Sequence, residues 1–439
     1  MLLQPAKRLR GTISVPGDKS ISHRAALIAA LADGTSQISN FSISQDCAAT
    51  LSCLAQLGIS IDRDPANTVR IRGVGIGGMR AAFQPLDCGN SGTTMRLLAG
   101  ILAGQTFESN LTGDGSLRSR PMRRVIEPLT KMGAQVSSDN GHAPLAIRGM
   151  RPLRSIKYGL TVPSAQVKSC VLLAALHANG LSEVVETAGQ TRDHTERMLE
   201  WFGAPIQISK RADGARTCAV TGVAQFNSCD VRVPGDFSSA AFLMAAATLL
   251  PESDLQINGV GLNPTRAEFL TTLSANGAKV DIADLVEDSN EPAGSIHIRG
   301  VERLEPAQHG RSNVISGPRV AALIDELPML AVIGTQVVGG LVIRDAGELR
   351  HKESDRIATT VKNLRAMGAE VEDYEDGLAV AGPTGLRGGL LTSAGDHRIA
   401  MAFSVAALIA DGQSQMDDAA CVTVSFPGFF DLLDSIAER

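Results

Sequence analysis

Cations gather where the sequence predicts helix starts. Lys19 and Arg24 follow the turn Val15-Pro-Gly-Asp18, Arg96 follows Cys88-Gly-Asn-Ser-Gly92, and Lys168 follows Val162-Pro-Ser164. Arg319, Arg356 and Arg398 stand at the heads of later helical runs. Hydroxyls join them at Ser20, Ser91, Thr93 and Ser164. A helix N-terminus presents unbonded N–H groups and the positive end of the helix dipole, so it attracts anions. If several such starts face one cleft, the cleft binds a small molecule carrying several negative charges. A formal net charge of −5, from 41 basic and 46 acidic side chains, does not oppose this, because the field that matters is local. Carboxylates also stand near these cations. Asp325-Glu326 interrupts an apolar stretch, where a carboxylate is either a buried cap or a tuned acid or base. The run 348–356, Glu-Leu-Arg-His-Lys-Glu-Ser-Asp-Arg, brings Lys352, Glu353 and Arg356 together. Lys352 and Arg356 are four apart and would share a helix face, although a solvated face is the plain reading of such a charge run. Asp396-His397-Arg398 opens the last apolar helix, where a cap is the simpler role.

Other chemistries are poorly supplied. Gly17-Asp-Lys-Ser20 lacks the Gly that a phosphate-binding P-loop needs directly before Lys-Ser. No Gly-x-Gly-x-x-Gly stands between a predicted strand and helix, so a dinucleotide site is weakly supported. The seven Cys include no Cys-x-x-Cys pair, and the eight His include no ligand-spaced pair, so no metal is expected. The odd thiols read as free and buried in a reducing compartment. Aromatic residues are 3% of the chain and the balance is acidic, which argues against nucleic-acid binding. No apolar run reaches the ~18 residues of a membrane span, and no secretory segment is apparent, so a soluble cytoplasmic protein is expected.

The elements that must position these residues repeat. Six segments share a polar turn followed by a small-residue apolar helix, marked by Ser20, Gly92, Ser164, Ser238, Asp325 and Arg398. Their spacings of 72, 72, 74, 87 and 73 suit a duplicated small α/β unit rather than a solenoid. On the same beat, helices end in Gly before an alternating strand at 55–61, 130–136, 200–208, 274–282 and 365–372. The sixth unit ends instead in the helix-like 429–439. Each unit therefore reads strand, helix, strand, helix, strands, and three units on each side of residue ~230 imply two similar domains. Val-Pro-Gly-Asp occurs at 15–18 and 233–236, either as two crossings of a hinge or as an accidental repeat of a common turn.

PGDKSISHR, LDCGNSGTTMR, GDGSLRSRPM, VPSAQVKS, TRDHTE, IDELP, HKESDR and GDHRIAM occur in one order along the whole chain. In this the chain resembles the EPSP synthase family, on the branch with Ser-Ala-Gln and Arg-Asp-His-Thr-Glu motifs. The resemblance implies an α/β fold of two similar domains, each of three βαβαββ units (the inside-out α/β barrel), with the active site in the interdomain cleft. It suggests one domain from 1–19 plus 232–439 and another from 20–231. The implied reaction moves the enolpyruvyl group of phosphoenolpyruvate to the 5-hydroxyl of shikimate 3-phosphate. By carry-over, shikimate 3-phosphate would meet Lys19, Ser20, Arg24, Ser164, Ala165 (through its backbone), Gln166, Arg192, Asp325 and Lys352. Phosphoenolpyruvate would meet Lys19, Gly92, Arg120, Gln166, Arg356 and Arg398, with Asn90 and Thr93 in the same turn. Asp325 is the expected base, and Glu353 the expected acid, with Lys19 assisting. No metal or organic cofactor is implied, the two substrates are the expected partners, and the expected state is a monomer. Glyphosate is the family's competitor of phosphoenolpyruvate. One departure stands out: many relatives carry Lys two residues before a C-terminal Phe-Pro, where this chain has Val424 before Phe426-Pro427. The rival UDP-N-acetylglucosamine enolpyruvyl transferases usually hold a Cys in the loop that is here Gly113–Pro121, which has none. An RNA-end-processing relative is disfavoured by the acidic balance.

Overall fold

The computed structural model describes residues 1–439 apart from Asp213 and His309. Six helices form its interior: α1 (Lys19–Leu31), α2 (Gly92–Ala103), α3 (Ala165–Ala175), α4 (Phe237–Leu249), α5 (Leu327–Gly334) and α6 (His397–Leu408). They are rich in Ala, Leu and Ile and have no polar stripe. Every residue from Ile21 to Leu31 in α1, from Phe237 to Thr248 in α4 and along the whole of α6 is buried. A helix apolar all round must be enclosed on every side. Its free N–H groups then need a partner at the first turn. Asp18, Ser91, Ser164, Asp236 and Asp396 supply it, each accepting a backbone N–H two or three residues on.

Around these helices, among the described residues, lie seven sheets, one of them only the short parallel pair Leu153–Arg154 and Ala178–Asn179, and five share one plan: a short strand, a parallel neighbour, then an antiparallel hairpin. Leu86–Asp87 runs parallel to Glu108–Thr112, which pairs antiparallel with His142–Arg148, which pairs with Gln135–Asp139. The same order recurs in Lys157–Gly159, Leu181–Glu186, Arg216–Thr221, Ile206–Lys210, and in Val314–Ile315, Leu341–Ile343, Gly377–Val380, Val371–Tyr374. Two repeats borrow their first strand. Val231–Arg232 pairs with Asp33–Ser39 in the first sheet, and Arg8–Ser14 pairs with Asp254–Gly261 in the fourth. In the sixth, Ser414–Met416 takes Leu2–Leu3 as its antiparallel partner. The outer helices end as their glycines require. Gly58, Gly133, Gly203, Gly277 and Gly368 all have φ between +71° and +105°, the left-handed region, and a strand follows each.

The chain divides into two compact units. One comprises 1–16, 235–286 and 292–439; the other comprises 17–234 and 287–291. Each has its own apolar core. The chain passes between units at 286/287 and 291/292, and also at 16/17 and 234/235, where the Pro-Gly steps of the two Val-Pro-Gly-Asp copies make the passages. Asp18 N–H donates to Pro234 O (2.8 Å), and Asp236 N–H donates to Pro16 O (2.8 Å), so the two copies bind one another. No helix among the described residues is long and apolar enough to cross a membrane.

Two local expectations change. The fifth apolar helix is not continuous: it breaks into Pro318–Leu323 and α5 on either side of Asp325-Glu326, and Pro328 opens the second piece. Lys352 and Arg356 do not share a helix face either. Gly347–His351 is a 3-10 turn, Lys352 is extended, and a new helix, Arg356–Ala366, starts under the cap Asp355.

A buried imidazole makes the fold acid-sensitive. His177 follows α3, and a Cβ on Gly104 would lie 2.1 Å from its ring. Neither ring nitrogen has a hydrogen-bond partner among the described residues. Burial first, and Arg151 second, push its pKa down to about 3. The unfolded chain binds this proton near pH 6.5, so the contribution of the neutral ring is complete above that pH and is lost as pH falls toward 3. At pH 5 the linked loss is about 2 kcal/mol. The urea midpoint of the native protein should fall between pH 7 and pH 5, and His177→Leu should flatten that fall. Parallel pH profiles of the two proteins would show that another group sets the acid sensitivity.

Candidate active site

In the unit formed by 17–234, the starts of α1, α2 and α3 carry the cations. Lys19 opens α1, and its ammonium lies 2.9 Å from Asp46 Oδ2. Thr94 Oγ1 of α2 reaches Asp46 O at 3.3 Å, so Asp46 ties the first helix start to the second. Arg24, one turn along α1, is buried and bonds three neutral oxygens: Thr195 Oγ1 (2.7 Å), Ser169 Oγ (2.9 Å) and Ser20 O (2.8 Å). Burial chiefly, opposed by Glu196, lowers its pKa to about 10. It stays charged at neutral pH.

Around α2, Arg120 donates to Asn90 Oδ1 (2.7 Å), and Asn90 donates to Asp114 (2.7 Å). Arg96 donates to Gln166 Oε1 (2.6 Å), and Gln166 Nε2 donates to Thr93 Oγ1 (2.9 Å). Gln166 thus joins the starts of α2 and α3. Gly92 is the first residue of α2, and a Cβ there would lie 2.8 Å from Arg96 and 3.4 Å from Arg120, measured to a terminal nitrogen of each guanidinium. Backbone N–H groups and two guanidinium tips therefore crowd one spot, a geometry suited to a phosphate or carboxylate. Ser164 caps α3, Ala165 begins it, and Arg192 stands in the loop before the helix His194–Trp201.

In the other unit the centre is Arg356, 1% exposed. Its Nε lies 2.8 Å from Asp396, one terminal nitrogen 2.6 Å from Glu353, and the other 3.5 Å from Asp325. Burial alone would lift the Asp396 pKa, but Arg356 outweighs it and holds the carboxyl below its ordinary value. Arg398, at the start of α6, lies 3.5 Å from the other oxygen of Asp325 and 3.8 Å from the buried Glu326. Glu326 also accepts the Ser238 hydroxyl. Desolvation lowers the half-buried Lys352 below an ordinary ammonium, with Asp325 pulling the other way. Asp325 thus touches both guanidiniums, with Glu353 on one of them.

The structure corrects the inventory of helix-start cations in two places. Lys168 is wholly buried against Glu186 and Glu196, and Arg319 is bound to Glu268 at 2.8 Å, so neither offers its charge to a ligand. It also adds Asp46 and Asp114, which sequence spacing did not select, and gives Arg96 and Glu326 their partners Gln166 and Arg398. Asp396, read as a cap, is one, and it also holds Arg356. Val424 ends a 3-10 turn, Ala420–Val424, and brings no charge.

Solved structures share this arrangement of elements. An EPSP synthase from Acinetobacter baumannii superposes with a TM-score of 0.85 at 38% identity, covering 99% of this chain and 97% of that one. The enolpyruvyl transferase NikO from Streptomyces tendae, 18% identical, matches in fold with a TM-score of 0.79 over 99% of this chain and 96% of its own. The fold is that of the enolpyruvyl transferases. Relatives named 3-phosphoshikimate 1-carboxyvinyltransferase are 50% identical in Koribacter versatilis, covering 100% of this chain and 99% of the relative, and 47% identical in Desulforamulus reducens, covering 99% of each. Residues 3–433 match the family EPSP synthase (3-phosphoshikimate 1-carboxyvinyltransferase), and the chain belongs to that family of shikimate-pathway transferases.

The buried Arg356–Asp396 pair sets a testable stability term. Removing one member of a buried pair strands the other charge, typically at a cost of about 3–5 kcal/mol. Glu353 and Asp325 remain beside Arg356, so Asp396→Asn should cost on the order of 3 kcal/mol, at the low end of that range. Urea unfolding at pH 7 measures it. A loss within ~0.5 kcal/mol, as for an ordinary surface change, would show that the pair does not hold the fold.

Proposed function

We propose that this chain transfers the enolpyruvyl group of phosphoenolpyruvate to the 5-hydroxyl of shikimate 3-phosphate, releasing phosphate, and that the residues above do so without a metal or organic cofactor. The observation that carries the reading is Asp325, held within 3.5 Å of both Arg356 and Arg398, with Glu353 2.6 Å from the same Arg356. One acid–base pair thus sits on two guanidiniums suited to a carboxylate and a phosphate. Lys19, Ser20, Arg24, Ser164, Ala165, Gln166, Arg192 and Lys352 bind shikimate 3-phosphate. Lys19, Gly92, Arg120, Gln166, Arg356 and Arg398 bind phosphoenolpyruvate.

The addition needs a base and an acid at neighbouring atoms. Asp325 takes the proton of the 5-hydroxyl as its oxygen attacks C2. Glu353 delivers a proton to C3, which becomes a methyl group. In the second step that methyl returns a proton, the double bond re-forms, and the C–O bond to phosphate breaks with Lys19 at the bridging oxygen. The protein works in the cytoplasm as a monomer, with glyphosate as a competitor of phosphoenolpyruvate. It binds neither nucleic acid nor membrane.

A general base contributes ~10²–10⁴-fold, so Asp325→Ala should lower kcat within that range while shikimate 3-phosphate affinity changes by less than ~10-fold. Phosphate release, assayed with shikimate 3-phosphate and with other acceptors, measures the variant and tests the substrate together. Near-native turnover in the variant would remove Asp325 from the chemistry.

Gly92→Ala tests the crowded spot. A methyl 2.8 Å from Arg96 and 3.4 Å from Arg120 must displace at least one guanidinium tip. Glyphosate is longer than phosphoenolpyruvate and fills more of this space. Its inhibition constant should therefore rise by a larger factor than the KM for phosphoenolpyruvate. A parallel rise of the two constants, or a native enzyme already insensitive, would leave Gly92 as a turn residue only.

A further inference from the structure

Beside the substrate residues, but out of reach of any ligand, lies a closed ionic cluster. Lys168, on α3 one turn beyond Ser164, is 0% exposed in its side chain, as are Glu186 and Glu196. Its ammonium lies 2.7 Å from Glu196 Oε1 and 2.9 Å from Glu186 Oε1, and donates to Thr191 O at 3.5 Å. An ammonium has three donors, and here each has an acceptor. Arg216 flanks both carboxylates at 3.6 and 3.4 Å, and the Cys218 thiol donates to Glu196 at 3.3 Å. Burial would pull the Lys168 pKa down, but Glu196 and Glu186 outweigh it and raise it, so the side chain is a cation. Glu186, Glu196 and Cys218 have ligand-type atoms within 4.8 Å of one another, a spacing that suits a metal. The ammonium, bonded to both carboxylates, already supplies the positive charge there.

Stability is a weak reason for such a cluster. Desolvating each ion costs several kcal/mol, and well-packed apolar residues are often as stable or more so. Its connections suggest another reason. Glu186 Oε1 accepts both the backbone N–H of Thr191 (2.8 Å) and its hydroxyl (2.7 Å), which fixes the loop carrying Arg192. Glu196 adjoins Thr195, whose hydroxyl bonds Arg24 Nε (2.7 Å) and shares a 2.6 Å bond with Ser169, the residue after Lys168. One ammonium therefore ties the start of α3 to the seats of Arg24 and Arg192.

We propose that Lys168 is a positioning residue for shikimate 3-phosphate recognition, acting through Glu186 on Arg192 and through Glu196 and Thr195 on Arg24. This rests on the function proposed above. Its mark is a split between the two substrates, because the bonds described from the cluster lead toward Arg24 and Arg192.

Two variants test it in steady-state assays with each substrate varied in turn. Glu186→Gln keeps the volume and removes the charge that holds Thr191; Lys168→Met removes the hub. Both should raise the KM for shikimate 3-phosphate roughly tenfold or more, the scale of one lost charge-assisted bond. The KM for phosphoenolpyruvate and kcat should stay within about threefold of native, less than half of that bond's worth on a logarithmic scale. Lys168→Met/Glu196→Gln, which rebalances the charge, should recover folding stability but not the shikimate 3-phosphate KM. Unchanged KM values in folded Glu186→Gln, or equal rises for both substrates in step with lost thermal stability, would overturn the proposal. If Lys168→Met does not fold, Glu186→Gln alone decides. A native enzyme inactive on shikimate 3-phosphate would instead refute the underlying reading, and this inference with it.

Discussion

The molecule depends on one constraint: a helix buried on all its sides can meet solvent or ligand only at its ends. α1, α4 and α6 are enclosed along nearly their whole length. Polar chemistry is thereby driven to the first turns, where unbonded N–H groups must be satisfied in any case. The caps Asp18, Ser91, Ser164, Asp236 and Asp396 meet that need, and the residues beside them, Lys19, Gly92, Gln166 and Arg398, inherit the field of the helix end. Fold and site are therefore one problem. The apolar repeat that builds each core also determines where charge can stand.

A second constraint follows from the first. Cations at several helix starts repel one another unless something lies between them. Asp46 stands against Lys19, Asn90 relays Arg120 to Asp114, and Asp396 grips Arg356. The partners differ in kind. Arg24 is held by three neutral oxygens, which orient it without cancelling its charge, whereas Arg356 meets three carboxylates. Neutral partners hold a guanidinium without a directly paired counter-ion, while Glu196 and Asp18 act on Arg24 through space. Carboxylate partners pair the charge directly.

Most of the fold could be read from the chain because its signals are local. Gly58, Gly133, Gly203, Gly277 and Gly368 announce helix ends through a conformation that other residues avoid. Small-residue runs after Asp or Ser caps announce the inner helices. Failures came from a local cap that restarts a helix and from partners distant in sequence. The four-residue spacing of Lys352 and Arg356 suggested one helix face, but the Asp355 cap restarts the helix between them. Lys168 resembled the other helix-start cations in every local respect. Only Glu186 and Glu196, 18 and 28 residues away in sequence, reveal that it points inward. Asp46 lies 27 residues from Lys19, and no periodicity links them. The site motifs were legible as an ordered set, and so were Asp325, Glu353 and Asp396, whereas Asp46, Asp114, Glu186 and Glu196 were not.

Carboxylates limit the net charge of both sets of cations. In the unit holding Val424, the cations Lys352, Arg356, Arg398 and Arg266 stand with the carboxylates Asp325, Glu326, Glu348, Glu353 and Asp396. In the other unit, Lys19 meets Asp46, Arg120 reaches Asp114 through Asn90, and Arg24 lies in the field of Glu196, Asp18 and Glu291. Neither set is a bare cluster of like charges. The enclosed helices bring cations to their first turns, and the carboxylates beside them let several cations stand close together within one unit.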